Sequence, residues 1–594
     1  MNGSEPKKGF SHELRLLLAF ALSFLVMSLW IKYFAPKPPV EKPATAATAT
    51  AAPGTSAATP AAPTSASPIA SAPTGTKPGA KPGDKSGAAQ AAPVSVPVIA
   101  DNQERTFVVE SDLYRVEFSN RGAVVKSWQL KKYKDDAKPQ RTLDLVHPAA
   151  AEQTGGWPFS LSLDDASDEA AANKALYTIE AGPAGGHGVS QVRFAWSDGH
   201  LQVSKEFRFD GTYTMHVQTT VKHEGQPVVA GLAWRGGFGD VTVADPAPVE
   251  QVSVLFNAAG KLNNLPYKKL NGPEQTPRTF WYSGMDYAGI EDRYFVAVFL
   301  PDADSGAKVA TRYWKLMREV KTADKTEQEP VAEVAAGSGT ADPTSLRVYA
   351  GPKDYEQLKK MNPPLHALVN FGWLEFIAEP LFHALKWTQR YIPNWGWAII
   401  ILTLVINMVL FPMRISSYRT MLKMRRVAPE VSAIKERYKK YKLNDPKKAE
   451  ENKEIMALYQ REGINPLGGC FQMLVQMPIW FGLNTALRYS IELRHANWLW
   501  VSDLSAKDPH FILPVAVGIS MYLVSKMTPM ATSDPSQETM MKFMPIMMAA
   551  SFIFFPFSSG LALYILTSSV VGIGQQWYLN KTHPEPAKPA RGKK

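Results

Sequence analysis

Polar and charged side chains recur inside otherwise apolar runs in the last third of this 594-residue chain. On an α-helix advancing about 100° per residue, Thr403, Asn407 and Arg414 fall within about 40° of one another and form one stripe. Gln472 and Gln476 make a second group, Asn484, Thr485 and Arg488 a third, and Ser568 and Ser569 stand in the last apolar run. Such groups support hydrogen bonding and, at the arginines, attraction of anions. Any one Ser, Thr or Gln is accounted for by a hydrogen bond between helices, a contact of ~0.6 to 2 kcal/mol. Taken together they describe a hydrated cavity.

No catalytic apparatus accompanies them. The sequence holds no HExxH, no GxSxG elbow, no Walker A loop and no CxxC, and Gly572-Ile573-Gly574 lacks the third glycine and preceding strand of a nucleotide site. The 11 histidines are scattered, and the lone Cys470 excludes an intrachain disulfide and a Cys-based zinc site. No enzyme activity, cofactor or metal is therefore expected. Ion-coupled transporters keep carboxylates at depth in the membrane, yet none of the apolar runs after residue 395 contains Asp or Glu.

The elements that must position these side chains are membrane helices. Five apolar runs follow residue 395: Trp395 to Met413, Phe471 to Leu487, Phe511 to Ser525, Phe543 to Phe557 and Leu561 to Leu579. A sixth, Leu16 to Ile31, follows Lys7 and Lys8 and is longer than a cleaved signal peptide needs, so residues 1–35 read as an uncleaved anchor. Several runs cover only ~22–26 Å of a hydrocarbon core of ~30 Å, which calls for flanking residues or a locally thinned bilayer. Eight methionines between Met521 and Met548 suit packing within such a bundle.

The net charge of +11 is decided by where it lies. Residues 414–462 carry 14 Lys/Arg against 7 Asp/Glu, which makes this loop cytoplasmic, in agreement with Lys7, Lys8 and the basic tail of 581–594. Both termini are then cytoplasmic. In the loop Met421, Met424, Val427, Val431, Ile434, Tyr438 and Tyr441 recur at helical steps, and Asp445-Pro446 opens a second helix, giving an antiparallel hairpin. Arg425, Arg426, Lys439 and Lys440 in it, with Lys588, Arg591, Lys593 and Lys594 in the tail, are candidates to contact ribosomal RNA phosphates. DNA is not an expected partner.

Ahead of the helices, 51 of the 65 residues in 36–100 are Ala, Pro, Thr, Ser or Gly, the composition of a flexible tether. Period-two alternation then takes over. Leu201, Val203, Phe207 and Phe209 face one way, with Lys205 breaking the pattern, and Asp210-Gly211 turns the chain into Tyr213, Met215, Val217, Thr219 and Val221. Further strands are expected at Tyr114 to Phe118 and Tyr294 to Leu300. Residues 101–352 read as an extracytosolic β-sandwich domain, and 363–393, amphipathic but too charged to span, as an interfacial helix.

Within 363–580 a set of motifs occurs in order: Asn465-Pro466-Leu467-Gly468-Gly469-Cys470, Gln476-Met477-Pro478-Ile479, Asp503-Leu504-Ser505, Ile512-Leu513-Pro514, Phe543-Met544-Pro545 and Ser559-Gly560-Leu561. In these the chain resembles the YidC/Oxa family of membrane protein insertases, and its anchor, tether and β domain are similar to the layout of Gram-negative members, whose periplasmic domain is a β-supersandwich. The resemblance implies a polytopic inner-membrane protein of six spans with an insertase core over 395–580. It also implies a groove open to the cytoplasm and to lipid that takes in nascent membrane proteins, with the ribosome and the Sec translocon as candidate partners. Family members commonly carry an arginine where this chain has Asn407. Either a neutral amide suffices, or the charge has moved to Arg414 or Arg488; Arg414 is equally explained as a positive-inside flank, and Arg488 as a residue reaching for headgroups. The competing readings are a channel or transporter and a passive assembly scaffold.

Overall fold

The computed structural model describes residues 97–182, 184–185, 188–189, 191–240, 242, 252–272, 280–302, 307–321, 326–341, 343–369, 371–441, 445–465, 468–528, 547 and 557–583, without the side chains of 184–185, 188–189, 321, 373 and 468–474. The expected anchor, all but the end of the expected tether, the apolar run 543–557 apart from Met547 and Phe557, and the tail beyond 583 lie outside them.

Alternation builds the first half. Leu201–Phe209 and Thr214–His223 pair antiparallel, from Leu201 opposite His223 to Phe209 opposite Met215. Asp210 closes the turn by accepting from the Thr212 N–H and hydroxyl at 2.8 and 2.7 Å, and Gly211 takes a φ of 80° that a side chain would strain. The hairpin lies within a 14-stranded antiparallel sheet among the described residues. Its main path runs Ser160–Leu163, Ala230–Trp234, Thr326–Gly337, Val309–Lys321, Tyr282–Glu291, Phe295–Pro301, Thr344–Pro352, Thr214–His223, Leu201–Phe209, Gln191–Ser197 and Thr178–Ala181. A four-stranded sheet of Thr106–Glu110, Tyr114–Ser119, Val124–Lys134 and Thr142–Asp144 faces it. Aromatic pairs close the space between the sheets: Phe118 on Phe207 at 4.9 Å, and Trp128 on Trp234 at 6.2 Å. Two short helices, α1 (Pro148–Thr154) and α2 (Ala166–Lys174), complete the domain.

Lys205 does not break the inward face; it belongs to it. The side chain is fully buried beside Val203 and Phe207, and its Nζ donates to the carbonyls of Gly122, Ala123 and Phe159 at 2.7, 3.2 and 2.8 Å. A buried ammonium is tolerable only when its donors are satisfied, and these acceptors come from segments that flank strands of both sheets. Burial pulls the amine down to about 7.

After α3 (Tyr355–Lys359), Pro363 and Pro364 keep the chain out of a helix and two 3-10 turns follow, so the expected interfacial segment is α-helical only over α4 (Glu375–Tyr391). Ala378, Phe382 and Leu385, at helical spacing, are buried, and Ala378 and Phe382 join the hydrophobic core of the β domain. Phe376, Trp387 and Tyr391 are left exposed. Helix α5 (Trp395–Arg437) continues through Pro412 and Pro429 well past the end of its apolar run. Then come α6 (Pro446–Arg461), α7 (Gly468–Tyr489), α8 (Ile512–Met527) and α9 (Ser559–Thr582). By length and composition α5 alone among the described helices is long and apolar enough to cross a membrane; α8 is apolar but shorter.

Among the described residues, Glu430–Leu458 group apart from the rest. The Asp445 carboxylate accepts from the Lys447 N–H at 3.0 Å, capping α6 ahead of Pro446. Val431, Ile434 and Leu458 are buried, and Arg437 pairs with Glu454 across the hairpin.

The β domain meets the helices through the segment following α7. The Arg494 side chain, 4% exposed, pairs with Asp240 and, at 3.5 Å, with Asp136, and lies 5.4 Å from the Phe295 ring. His495 Nε2 is 2.6 Å from Asp136, and these two neighbours hold the Asp136 carboxyl below its usual range, the histidine bond contributing most. Lys386 of α4 pairs with Glu492 at 2.8 Å. Arg293 of the β domain donates to the Arg488 carbonyl at 3.0 Å, satisfying one of the orphan carbonyls at the end of α7.

Candidate functional site

The polar stripe on α5 faces α9. Thr403 is fully buried and its hydroxyl donates back to the Ile399 carbonyl at 2.6 Å. Asn407, one turn on, donates to the Thr403 carbonyl at 2.8 Å and lies 3.4 Å from the Ser568 hydroxyl of α9. Two turns further, Arg414 Nη1 donates to Gln575 Oε1 at 2.9 Å and Nη2 to the Gly572 carbonyl at 3.3 Å. Gln575 Nε2 in turn donates to the Asn407 carbonyl at 3.1 Å. The seam continues with Tyr418, whose hydroxyl donates to Asn580 at 2.9 Å, while Asn580 donates to the Met527 carbonyl of α8 at 3.1 Å.

Of the residues expected from the sequence, the structure thus brings Thr403, Asn407, Arg414 and Ser568 into one interhelical seam; Ser569 beside them is half-buried. Gln476 is separate, with its amide 3.4 Å from the Tyr564 hydroxyl of α9. Thr485 donates to the Phe481 carbonyl on its own helix at 2.9 Å, Asn484 is half-buried, and Arg488 lies at the junction with the β domain. Gln472 falls in α7 with its side chain outside the described set, as do Lys588, Arg591, Lys593 and Lys594 of the tail. Arg426, Lys439 and Lys440 are exposed and Arg425 half-buried.

Gln575, Tyr564 and Asn580 were not anticipated. A signal existed for Gln575: it follows Ser568 by seven residues, two helical turns along the same face. For Tyr564 a hydrophobic-looking residue in an apolar run gave none.

One cluster among the described residues has the donor types of a metal site: Asp136, His495 and Asp503, with ligand atoms within 4.8 Å of one another. Arg494 and His495 already bond Asp136, so its geometry is that of an ion network joining the domain to the helices.

Comparison with known proteins gives the family. Residues 106–384 match the family model described as the YidC periplasmic domain, and residues 387–586 that of the 60Kd inner membrane protein. The membrane protein insertase YidC of Geobacter sp. strain M21 is 35% identical over 486 residues, spanning 80% of this chain and 85% of the relative. That of Geobacter metallireducens is 33% identical over 526 residues, 86% and 91% of the two chains. A crystal structure of an active YidC insertase with its first transmembrane domain resolved aligns over 82% of this chain and 95% of its own, at 18% identity and a TM-score of 0.33. The two family models define an inner-membrane protein carrying a periplasmic β domain. The chain belongs to the YidC family of membrane protein insertases; its activity is insertion, not enzymatic catalysis.

Proposed function

We propose that the chain spans the inner membrane six times with both termini in the cytoplasm, and that the α5 stripe borders a polar groove in which Arg414 is the working cation. A client helix gains about 0.3 to 0.6 kcal/mol for each Leu, Ile, Phe or Val placed in lipid, whereas a charge at the centre costs about 2.5 to 3.5. A hydrated groove lowers the barrier for polar segments without altering either end state, so no nucleotide is needed. The observation that carries the reading is the environment of Arg414: both of its partners among the described residues are neutral oxygens, and α5 to residue 413, α7, α8 and α9 hold no carboxylate. Asn407, by contrast, already spends its amide on Thr403 and Ser568.

The test is insertion into liposomes of one short client carrying either an acidic or a neutral translocated tail. Arg414→Gln should reduce insertion of the acidic form about tenfold, some 1.4 kcal/mol, and spare the neutral one. Equal yields for both tails would exclude charge-assisted capture, and no insertion by the purified wild-type chain would favour a scaffold. The basic residues of 414–462 and of the tail are proposed to hold the translating ribosome, so neutralising Lys588, Arg591, Lys593 and Lys594 should weaken co-sedimentation at low salt.

A further inference from the structure

We propose that Gln575 is a positioning residue that presents the Arg414 guanidinium, which is paired with no carboxylate among the described residues, to carboxylates in client segments; this rests on Arg414 being the groove cation. An arginine at the inner end of a span can reach for headgroups and water unless something holds it. Here the hold is specific. Gln575 receives Arg414 Nη1 on its carbonyl oxygen and gives its amide N–H to the Asn407 carbonyl, at 2.9 and 3.1 Å. Turning the amide over would set donor against donor and acceptor against acceptor, so the network fixes its orientation. Only a side chain with one donor and one acceptor on the same plane fills both roles at this reach.

Gly572 completes the seat from the other side. Its carbonyl accepts Nη2, and a Cβ there would lie 3.2 Å from Arg414 Nη1, so the absence of a side chain lets the guanidinium approach the α9 backbone. Both oxygens are neutral. They satisfy hydrogen bonds without cancelling charge, which leaves the arginine able to attract an anion far more strongly than it would in water. A carboxylate in place of Gln575 would bond the same nitrogen and abolish that attraction. The side-chain type at 575 therefore sets which clients benefit: those whose translocated segments carry Asp or Glu.

The experiment uses the full-length protein in liposomes and the same client with an acidic or a neutral tail. Gln575→Glu, nearly identical in shape, should lose acidic-tail insertion about tenfold and keep neutral-tail insertion; Gln575→Leu should lose a smaller part of the acidic preference. Neutral-tail insertion reports folding within each preparation. If Gln575→Glu inserts both tails as wild type does, or loses both equally, the positioning role is overturned. If a tail-independent loss is restored by adding anionic lipid, the cation serves a lipid phosphate instead and the proposal fails. Should Arg414→Gln spare acidic tails, the reading beneath it falls; should Arg414→Gln impair them while Gln575→Glu does not, only the role of Gln575 falls.

Discussion

The β domain and the helices bury polar groups in opposite ways. In the domain, most buried charges are matched by charges, Lys205 with its three carbonyl acceptors being the exception. Glu333, fully buried, accepts from Arg235 Nε at 2.9 Å, the Trp314 indole at 2.8 Å and the Gly236 N–H at 3.1 Å. Glu291 is paired with Lys353 at 2.6 Å, and Arg312 with Glu169 at 3.5 Å. Along the α5–α9 seam the partners are amides, hydroxyls and carbonyls, and among the described residues its arginine, Arg414, is bonded only to neutral oxygens. A buried ion pair whose charges cancel has little left to offer a ligand and serves stability. A seam with a satisfied but uncancelled charge can still act on something outside it.

That contrast can be broken by measurement. Glu333→Leu should have the largest effect, about 3 to 5 kcal/mol, because it removes the nearer carboxylate from a buried guanidinium, leaving Arg235 only Glu169 at 3.8 Å among the described residues, and orphans the Trp314 indole and the Gly236 N–H. Unfolding of the purified chain followed by tryptophan fluorescence would register it. Insertion by the protein that remains folded should be unchanged.

Lys205→Met comes next, at about 2 kcal/mol: three carbonyls lose their donor, at roughly 1 to 3 kcal/mol for each group orphaned, while removal of a desolvated charge returns part of that. The same variant carries a pH signature. With the folded amine near 7 and the ordinary lysine value at 10.5, the unfolded chain binds more protons than the folded one between those limits. Wild-type stability should therefore rise as pH increases through this window, and the methionine variant should show a flatter profile there. A slope that is the same in both would place the titrating group elsewhere.

Asn407→Ala should matter least, about 0.6 kcal/mol, the usual size of one interhelical hydrogen bond in a membrane. A cost near that of Glu333→Leu would erase the distinction between the two regions.

What the sequence made legible follows from range. The 201–223 hairpin could be read because alternation and an Asp-Gly turn are local, and the α5 stripe because 100° per residue is a property of one helix. Partners were not legible. Lys205 looked like an error in a strand because its acceptors lie 46 to 83 residues away. Asn407 could be placed on a face, but Ser568, 161 residues on, could not be assigned to it. Long-range pairing is fixed by packing, and a single sequence does not display it.

The bond from Arg293 to the Arg488 carbonyl and the pairing of Arg494 with Asp240 also impose an order in time. The chain is made from its N-terminus, and at about 5 to 20 residues per second the 195 and 254 residues separating these partners take about 10 to 50 s to synthesise. The β domain has that interval to fold before the end of α7 arrives, and then supplies a finished surface against which that end is fitted. The insertase thus carries, on its far side, a mould for part of its own membrane core.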